Sequence, residues 1–501
     1  MTKIPLRSNG REHLPERTGY NVCQVASEMV PFAKTGGLAD VLGALTPQLK
    51  KSNVNVTAFL PLYKQVKENT PNLISTGSTV KVKIGDNFVS GAIWKTQIQN
   101  VDVYFIQRDE YYHRDYLYGT PGGDYKDNAE RFVFFSRAAL EAMKQLNIKP
   151  DIIHCHDWQS ALIPIYLKTL YKKDPHFANT KTFFTVHNLA YQGLFWHWDM
   201  KLVGLGWEYF NYKQLEFYGQ VNFLKGGLVF ADMLSTVSPQ YAKEIQTPLF
   251  GERLDGVLRE RAGDLYGIIN GVDYDQWNPA VDKLIPVKYT EKKLVDKVKN
   301  KQALQKKCGL PTADAPMIGM IGRLASQKGF DLVSEMFDEI IGTGCQFVLL
   351  GTGEEKYHQI FRDIARKYPT QVSANIAFDN SLAHLITAGA DMFLMPSRYE
   401  PCGLNQLYAL KYGTIPIVHE TGGLADSIHN YTPKDLKAAM ATGFSFKNYS
   451  AQEMLSCIKS ALALYEDKKS WKQLMGNAMA QDFSWEHSGK EYIALYKKLM
   501  K

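Results

Sequence analysis

Residues 21–61 read NVCQVASEMVPFAKTGGLADVLGALTPQLKKSNVNVTAFLP. Asn21 to Ser27, NVCQVAS, has the apolar run of a buried strand, and it leads into a glycine loop, TGGLAD, at Thr35–Asp40. A helical stretch, VLGALTPQLKK, follows, and then a second strand, VNVTAFLP. Strand, glycine loop, helix, strand is the βαβ unit of a doubly wound parallel sheet. From about 75 to 110 the pattern changes to alternation, as in VKVKIG and VDVYFI. That region is expected to add antiparallel strands to the sheet edge.

The same hexapeptide, TGGLAD, recurs at Thr421–Asp426, again before a helical pattern and directly after a strand. Further strand-then-helix units lie between the two copies. PDIIHCHD, KTFFTVHN and ADMLSTVS belong to the first half; PMIGMIGRL, CQFVLLGTG, VSANIAFD, DMFLMPS and TIPIVHE form a second series. The flanks of the two hexapeptides differ, so this is not a tandem repeat. The restart predicts an α/β protein of two Rossmann-like domains joined near residue 265. Their ligand-binding ends would face one another across a cleft, because ligands bind beyond the carboxyl ends of the strands. The expected divisions are 1–20, a flexible lead-in; 21–265, the first Rossmann-like domain; 266–480, the second; and a terminal helical segment, 481–501.

A chain of 501 residues with 45% hydrophobic and 22% charged residues is an ordinary globular composition. The six cysteines are scattered without a CxxC pair, which suits free thiols in a reducing compartment. No apolar run is long enough to span a bilayer, and the first 20 residues lack the apolar core of a secretory signal. The lead-in fits a terminal extension, a vector-derived remnant or the stub of a processed transit peptide. The net charge of +7 is spread over 58 basic and 51 acidic residues. It slightly favours an anionic small substrate, and a solvated surface is a better reading of it than nucleic-acid binding.

Several loops carry residues with chemistry to offer. Lys34, Gly36 and Gly37 combine a cation, close backbone approach and a helix N-terminus, which suits a diphosphate; a tight turn with a solvated lysine is the alternative. Arg323 and Lys328 lie five residues apart in GRLASQKG, directly after a strand. Two cations there either sit on the surface or neutralise charge growing on a departing diphosphate. Glu400, in SRYEPCGLNQLYAL, either holds sugar hydroxyls and supports positive charge at an anomeric carbon or caps the helix that follows. His187, in FFTVHNLAYQG, either bonds a sugar from the end of a strand or is a satisfied core histidine. His154 and His156 share a strand face, but no third ligand follows at zinc spacing, so no metal is expected. Asp157 is better suited to a sugar hydroxyl, with Trp158 packing nearby. Gly353, in LGTG after a strand, is consistent with backbone approach to a nucleotide.

Taken together these segments resemble the bacterial glycogen synthase and plant starch synthase family, which has the GT-B architecture. The matching pieces are KTGGLADVLGAL, HCHDWQSAL, TVHNLAYQG, FLKGGLVFAD, STVSPQYAKEI, INGVDYDQWNP, GRLASQKGFDL, EPCGLNQLYALKYGT and TGGLADS, spread from about residue 21 to the end. The resemblance implies transfer of glucose from ADP-glucose, or UDP-glucose, to the 4-hydroxyl end of an α-1,4-glucan, with retention and no cofactor. The acceptor would be a maltooligosaccharide, glycogen or starch. His187, Arg323, Lys328 and Glu400 would carry the catalytic roles. Donor contacts would come from Lys34, Gly36, Gly37, Asp157, Asn188, Gly353, Tyr399, Cys402, Gly403 and Leu404. Thr421, Gly422 and Gly423 would present backbone N–H groups to the distal phosphate. Asp40, Tyr118 and Trp158 would lie on the acceptor side.

The terminal helix would pack back on the first domain, and domain closure would complete the site. Many retaining relatives carry a second glutamate eight residues after the first; here that position is Tyr408, as in the glycogen and starch synthase branch, which leaves the ribose contacts undetermined. The expected mechanism is front-face transfer, in which the leaving diphosphate helps deprotonate the incoming hydroxyl. A sucrose-forming synthase and a non-catalytic glucan-binding relative are the rival readings. The KTGGLAD and EPCGLNQ words and the intact charged residues argue against them. The expected location is the cytoplasm, or the plastid stroma for a processed plant or algal protein.

Overall fold

The computed structural model describes residues 19–501, so most of the 1–20 lead-in lies outside the described residues. Nine strands make the first sheet: β1 Asn21–Val25, β2 Asn55–Pro61, β3 Ile74–Ile84, β4 Asn87–Ile98, β5 Val101–Gln107, β6 Ile152–His156, β7 Lys181–Val186, β8 Met233–Thr236 and β9 Leu265–Gly267. Their spatial order is β9-β8-β7-β6-β1-β2-β5-β4-β3. Six more make the second sheet: β10 Met317–Ile321, β11 Gln346–Gly351, β12 Val372–Ile376, β13 Met392–Met395, β14 Ile415–His419 and β15 Phe444–Phe446. Their order is β12-β11-β10-β13-β14-β15, all parallel.

Both sheets have the doubly wound order, reversing direction between β1 and β6 in the first and between β10 and β13 in the second. Ligands in such folds bind outside the carboxyl ends of the strands at that reversal. The central strands are buried along nearly their whole length because helices cover both faces. Val22, Val25, Ile152 and Ile153 are buried in one core, and Met317, Ile318, Phe393 and Leu394 in the other.

One expectation needs correction. VDVYFI, in β5, is not an antiparallel addition on both sides. It pairs parallel with β2 and antiparallel only with β4. A β-hairpin, β3–β4, replaces the usual helix between two parallel neighbours, so alternation marked the hairpin but misassigned its third strand.

The chain passes between the halves twice, and the two crossings run side by side. Val272 N donates to Phe483 O at 2.7 Å, and Phe483 N donates to Tyr274 Oη at 3.0 Å. Gly271 is required there, since a Cβ would stand 2.5 Å from Trp485 Cδ2. Ser484 then caps the final helix, Trp485–Leu499, by accepting from His487 N. Trp485, Tyr492 and Tyr496 of that helix are buried in the first-half core.

Candidate active site

The loop after β1 carries the first hexapeptide. Glu28, 4% exposed, accepts hydrogen bonds from Thr35 N at 2.5 Å, Thr35 Oγ1 at 2.6 Å and Gly36 N at 3.2 Å. Tyr118 Oη lies 2.7 Å from both Glu28 Oε1 and Ser27 Oγ. Helix Gly37–Lys51 follows, with Asp40 in its first turn and Lys50 and Lys51 in its last, complementing the helix dipole. A Cβ placed on Gly36 or Gly37 would meet nothing within 4 Å, so this loop borders open space. Lys34 and Asp40 are exposed enough to reach ligand and pair with each other at 2.7 Å. Beside them lies a cavity of about 460 Å³ lined by Lys34, Thr35, Tyr116, Tyr118 and Asp124.

Beyond β6, Asp157 takes a left-handed backbone, φ 52°, and its Oδ1 accepts from His187 N at 2.7 Å. Burial raises its carboxyl to about 7, against the pull of the His187 and Asn188 N–H groups. His187 follows β7. Burial pushes its imidazole down to about 3, so it is neutral near pH 7. Its Nε2 meets His156 Nδ1 at 3.0 Å, and His156 Nε2 meets Gln24 Oε1 at 2.7 Å. With Gln24 accepting, His156 carries its proton on Nε2, and His187 donates from Nε2. The Nδ1 of His187 is therefore an acceptor, suited to a sugar hydroxyl. The network continues from Gln24 Nε2 to Tyr496 Oη at 3.3 Å, and from there to His154 Nδ1 at 2.7 Å. His154 and His156 are thus tied into one hydrogen-bonded network through Tyr496 and Gln24. Among the described residues no His, Cys, Asp or Glu cluster is gathered to hold a metal ion.

In the second half, the loops after β10 and β13 meet. Lys328 Nζ donates to Glu400 Oε2 at 2.6 Å, and Ser397 Oγ donates to the same oxygen at 3.0 Å. Glu400 is 5% exposed, whereas Arg323 is exposed and reaches Gln327 Oε1 at 3.3 Å. Gly329, φ 78°, lets the lysine loop pass under Pro396, whose carbonyl oxygen a Cβ would meet at 2.1 Å. Tyr399 O accepts from Gln327 Nε2, Cys402 is buried with its thiol pushed up to about 12 by burial, and Gly403 makes the positive-φ turn before Leu404, which stands at the start of helix Asn405–Lys411.

The second hexapeptide departs from expectation. Thr421 N donates to His419 O at 2.9 Å, Gly422 N to both Glu244 carboxylate oxygens at 3.0 and 3.1 Å, and Gly423 N to Glu400 O and Pro401 O at 3.1 and 3.2 Å. All three N–H groups that were expected to face a phosphate are engaged. The loop is moulded instead on the Glu400 segment: a Cβ on Gly422 would stand 2.0 Å from Glu400 O and one on Gly423 2.1 Å from Cys402 O.

Other placements also differ. Trp158 is 8% exposed, packed against Phe132 at 4.8 Å and Phe195 at 5.7 Å between ring centroids. It is closed in by these rings and presents no open face to a ligand. Gly353 makes its close approach to Leu324 O and donates to His358 Nε2, so it braces the Arg323 loop. Asn188 Oδ1 closes a turn on Ala190 N. Tyr408 stacks flat on Trp277 at 3.9 Å, so a glutamate's place is taken by a packing ring.

Glu28, Gln24, Glu244 and Ser397 were missed by sequence reasoning. Glu28 left one signal, a lone carboxylate in the apolar run SEMVPFA just after a central strand; Glu244 left none, because its partner is 178 residues away.

Two doubly wound sheets, with cations and a buried carboxylate at one reversal point and a neutral histidine and glycine loop at the other, define a GT-B glycosyltransferase. Residues 21–260 match the starch synthase catalytic domain family and residues 301–474 match glycosyl transferases group 1. The glycogen synthase of Koribacter versatilis is 48% identical over 478 residues, 95% of this chain and 98% of that one. The glycogen synthase of Thermotoga maritima is 46% identical over 487 residues, covering 95% and 98%. A solved structure, the catalytic domain of starch synthase IV from Arabidopsis thaliana bound to ADP and acarbose, is 33% identical and superposes with a TM-score of 0.89 over 96% of this chain and 99% of that one. A sucrose-phosphate synthase from Thermosynechococcus elongatus, 18% identical with a TM-score of 0.60, shares the fold. The chain belongs to the glycogen synthase and starch synthase family, and it is a glucosyltransferase.

Proposed function

We propose that the enzyme transfers glucose from ADP-glucose to the non-reducing 4-hydroxyl of an α-1,4-glucan, with retention. The observation that carries this reading is the Lys328–Glu400 pair at the second sheet's reversal point, set in a chain whose relatives are glycogen synthases. Arg323 and Lys328 bind the diphosphate and neutralise its growing charge as it leaves, stabilisation present mainly in the transition state. Glu400 bonds the sugar and supports positive character at its anomeric carbon. His187, neutral, accepts from a sugar hydroxyl at Nδ1. Gly36 and Gly37 leave the first loop open to both donor and acceptor, and the cavity at Lys34 and Tyr118 takes the glucan end.

The relative solved with ADP and acarbose supports an adenine nucleotide as donor and an oligosaccharide as acceptor. The leaving diphosphate takes the proton of the attacking hydroxyl on the same face, so one bond to the anomeric carbon replaces the other without inversion. The working divisions are 21–265 for the acceptor side, 266–480 for the donor side and 481–501 for the returning helix. Six free cysteines, five of them buried, suit a reducing cytoplasm. Initial rates with ADP-glucose and UDP-glucose on a maltooligosaccharide primer, with the product linkage read by NMR, test the reading. An α-1,4 product with higher kcat/KM for ADP-glucose supports it; a β linkage, or preference for UDP-glucose, refutes retention or the donor assignment respectively.

A further inference from the structure

Helix Pro239–Glu244 in the first half reaches both the segment after His187 and the glycine loop that packs on Glu400. Tyr241 Oη accepts from Leu189 N at 3.2 Å, and Thr236 Oγ1, just before the helix, donates to Val186 O at 2.7 Å, so the segment around His187 is held from this side. At the other end Glu244, 8% exposed, crosses to the second half and accepts from Gly422 N and from Thr421 Oγ1, the latter at 3.2 Å. The contact is reciprocal. Asp426, at the far end of helix Gly422–Ser427, accepts from Gln240 N at 2.7 Å. The two short helices therefore each place a carboxylate on the other's free N–H groups.

The Thr421–Gly423 loop is in turn pressed on the Glu400 backbone, as the forbidden Cβ positions at Gly422 and Gly423 require. A chain of contacts thus runs from the His187–Leu189 segment through Tyr241 and Glu244 to Gly422 and the Glu400 backbone. We infer that Glu244 is a positioning residue that fixes the separation of His187 and Glu400 across the cleft, and with it the alignment of the transferred glucose. Its buried carboxylate has no part in the chemistry. The inference rests on the proposed sugar-side roles of His187 and Glu400. Pre-organisation of this kind acts on turnover because a small misplacement of reacting groups costs rate far more than binding.

The test compares Glu244→Ala, Glu244→Gln and Thr421→Val with wild type. The readouts are kcat, KM for primer, ADP affinity by calorimetry and thermal midpoint. Glu244→Ala is expected to lower kcat at least 30-fold while primer KM and ADP affinity stay within threefold, since Arg323 and Lys328 are untouched. Glu244→Gln, whose amide oxygen still accepts from Gly422 N, is expected to recover to within fivefold of wild type. Thr421→Val, which keeps that N–H contact, is expected to lose threefold to tenfold in kcat and gives the reading if Glu244→Ala does not fold. Turnover within threefold of wild type in Glu244→Ala, or in Thr421→Val where Glu244→Ala does not fold, overturns the inference. So does equal impairment of the alanine and glutamine variants, or loss of ADP affinity in step with kcat. Glu400→Gln and His187→Ala serve as references. If they stay active the sugar-side roles fail; if they are impaired and Glu244→Ala is not, only the positioning inference fails.

Discussion

Lys328 Nζ and Glu400 Oε2 stand 2.6 Å apart, with the lysine a quarter exposed and the glutamate side chain 7% exposed. The pair joins the cation assigned to phosphate with the carboxylate assigned to sugar, so each group restrains the other's charge. Glu400→Gln frees Lys328 for the diphosphate. The expected outcome is ADP binding at least as tight as wild type with kcat lowered about 10²-fold or more. Calorimetry and initial rates check it; weakened ADP binding with kcat unchanged would contradict it.

The two glycine loops should respond oppositely to alanine. Gly37 opens a helix and faces open space, so Gly37→Ala gains up to about 1 kcal/mol of helix propensity while filling the cleft surface. Activity should fall tenfold or more with the thermal midpoint unchanged or raised. Gly423→Ala drives a methyl into Cys402 and should lower the midpoint by several degrees, as overpacking does. Thermal scans beside initial rates separate the two.

Stability should fall on acidification. Burial holds His154 and His156 well below the ordinary imidazole range and His187 at about 3. In the unfolded chain these three take protons below about pH 6.5. The unfolded state then binds more protons than the folded one, so stability rises with pH through that window and is lost as pH drops. Asp157, raised to about 7, acts in the opposite sense: its folded form stays protonated where the unfolded one ionises, so it costs stability as pH climbs toward 7. Three imidazoles outweigh one carboxyl, each contributing up to about 1.4 kcal/mol per pH unit. Denaturant midpoints at pH 7 and pH 5 should show the loss, and a steeper one in Asp157→Asn.

The architecture was readable because it is written locally. A strand, a glycine loop and a helix in sequence, twice over, announce two doubly wound sheets, and Lys328 and Glu400 each sit within a few residues of a strand end. What escaped was written at long range. Nothing near Gly422 reveals that Glu244 would take its N–H, and nothing near Trp158 reveals that Gly193 and Phe195 would close over it. The shared hexapeptide proved to be a shared cradle. In each copy the threonine hydroxyl and a glycine N–H bind a glutamate carboxylate, Glu28 in the first and Glu244 in the second. Only the first keeps glycines on open space.

The last helix belongs energetically to the first half. Removing residues 485–501 strips Trp485, Tyr492 and Tyr496 from its core. At about 1.5–3 kcal/mol each, that forfeits roughly 5–9 kcal/mol, comparable to the whole stability of a domain. The truncated chain should be insoluble or bind a hydrophobic dye. The milder Tyr496→Phe, which leaves His154 Nδ1 without its partner, should fold with about 1–3 kcal/mol less stability by denaturant titration.

Under the proposed function one glucosyl-transfer site is assembled from both halves around the Lys328–Glu400 pair. Its most direct test is the initial rate of glucose incorporation from ADP-glucose into a maltooligosaccharide by wild type and by Lys328→Ala, with folding confirmed by circular dichroism. The expected result is robust transfer by wild type and a 10²–10³-fold lower kcat in a folded variant. A folded Lys328→Ala that turns over within threefold of wild type, with donor binding unchanged, would contradict it.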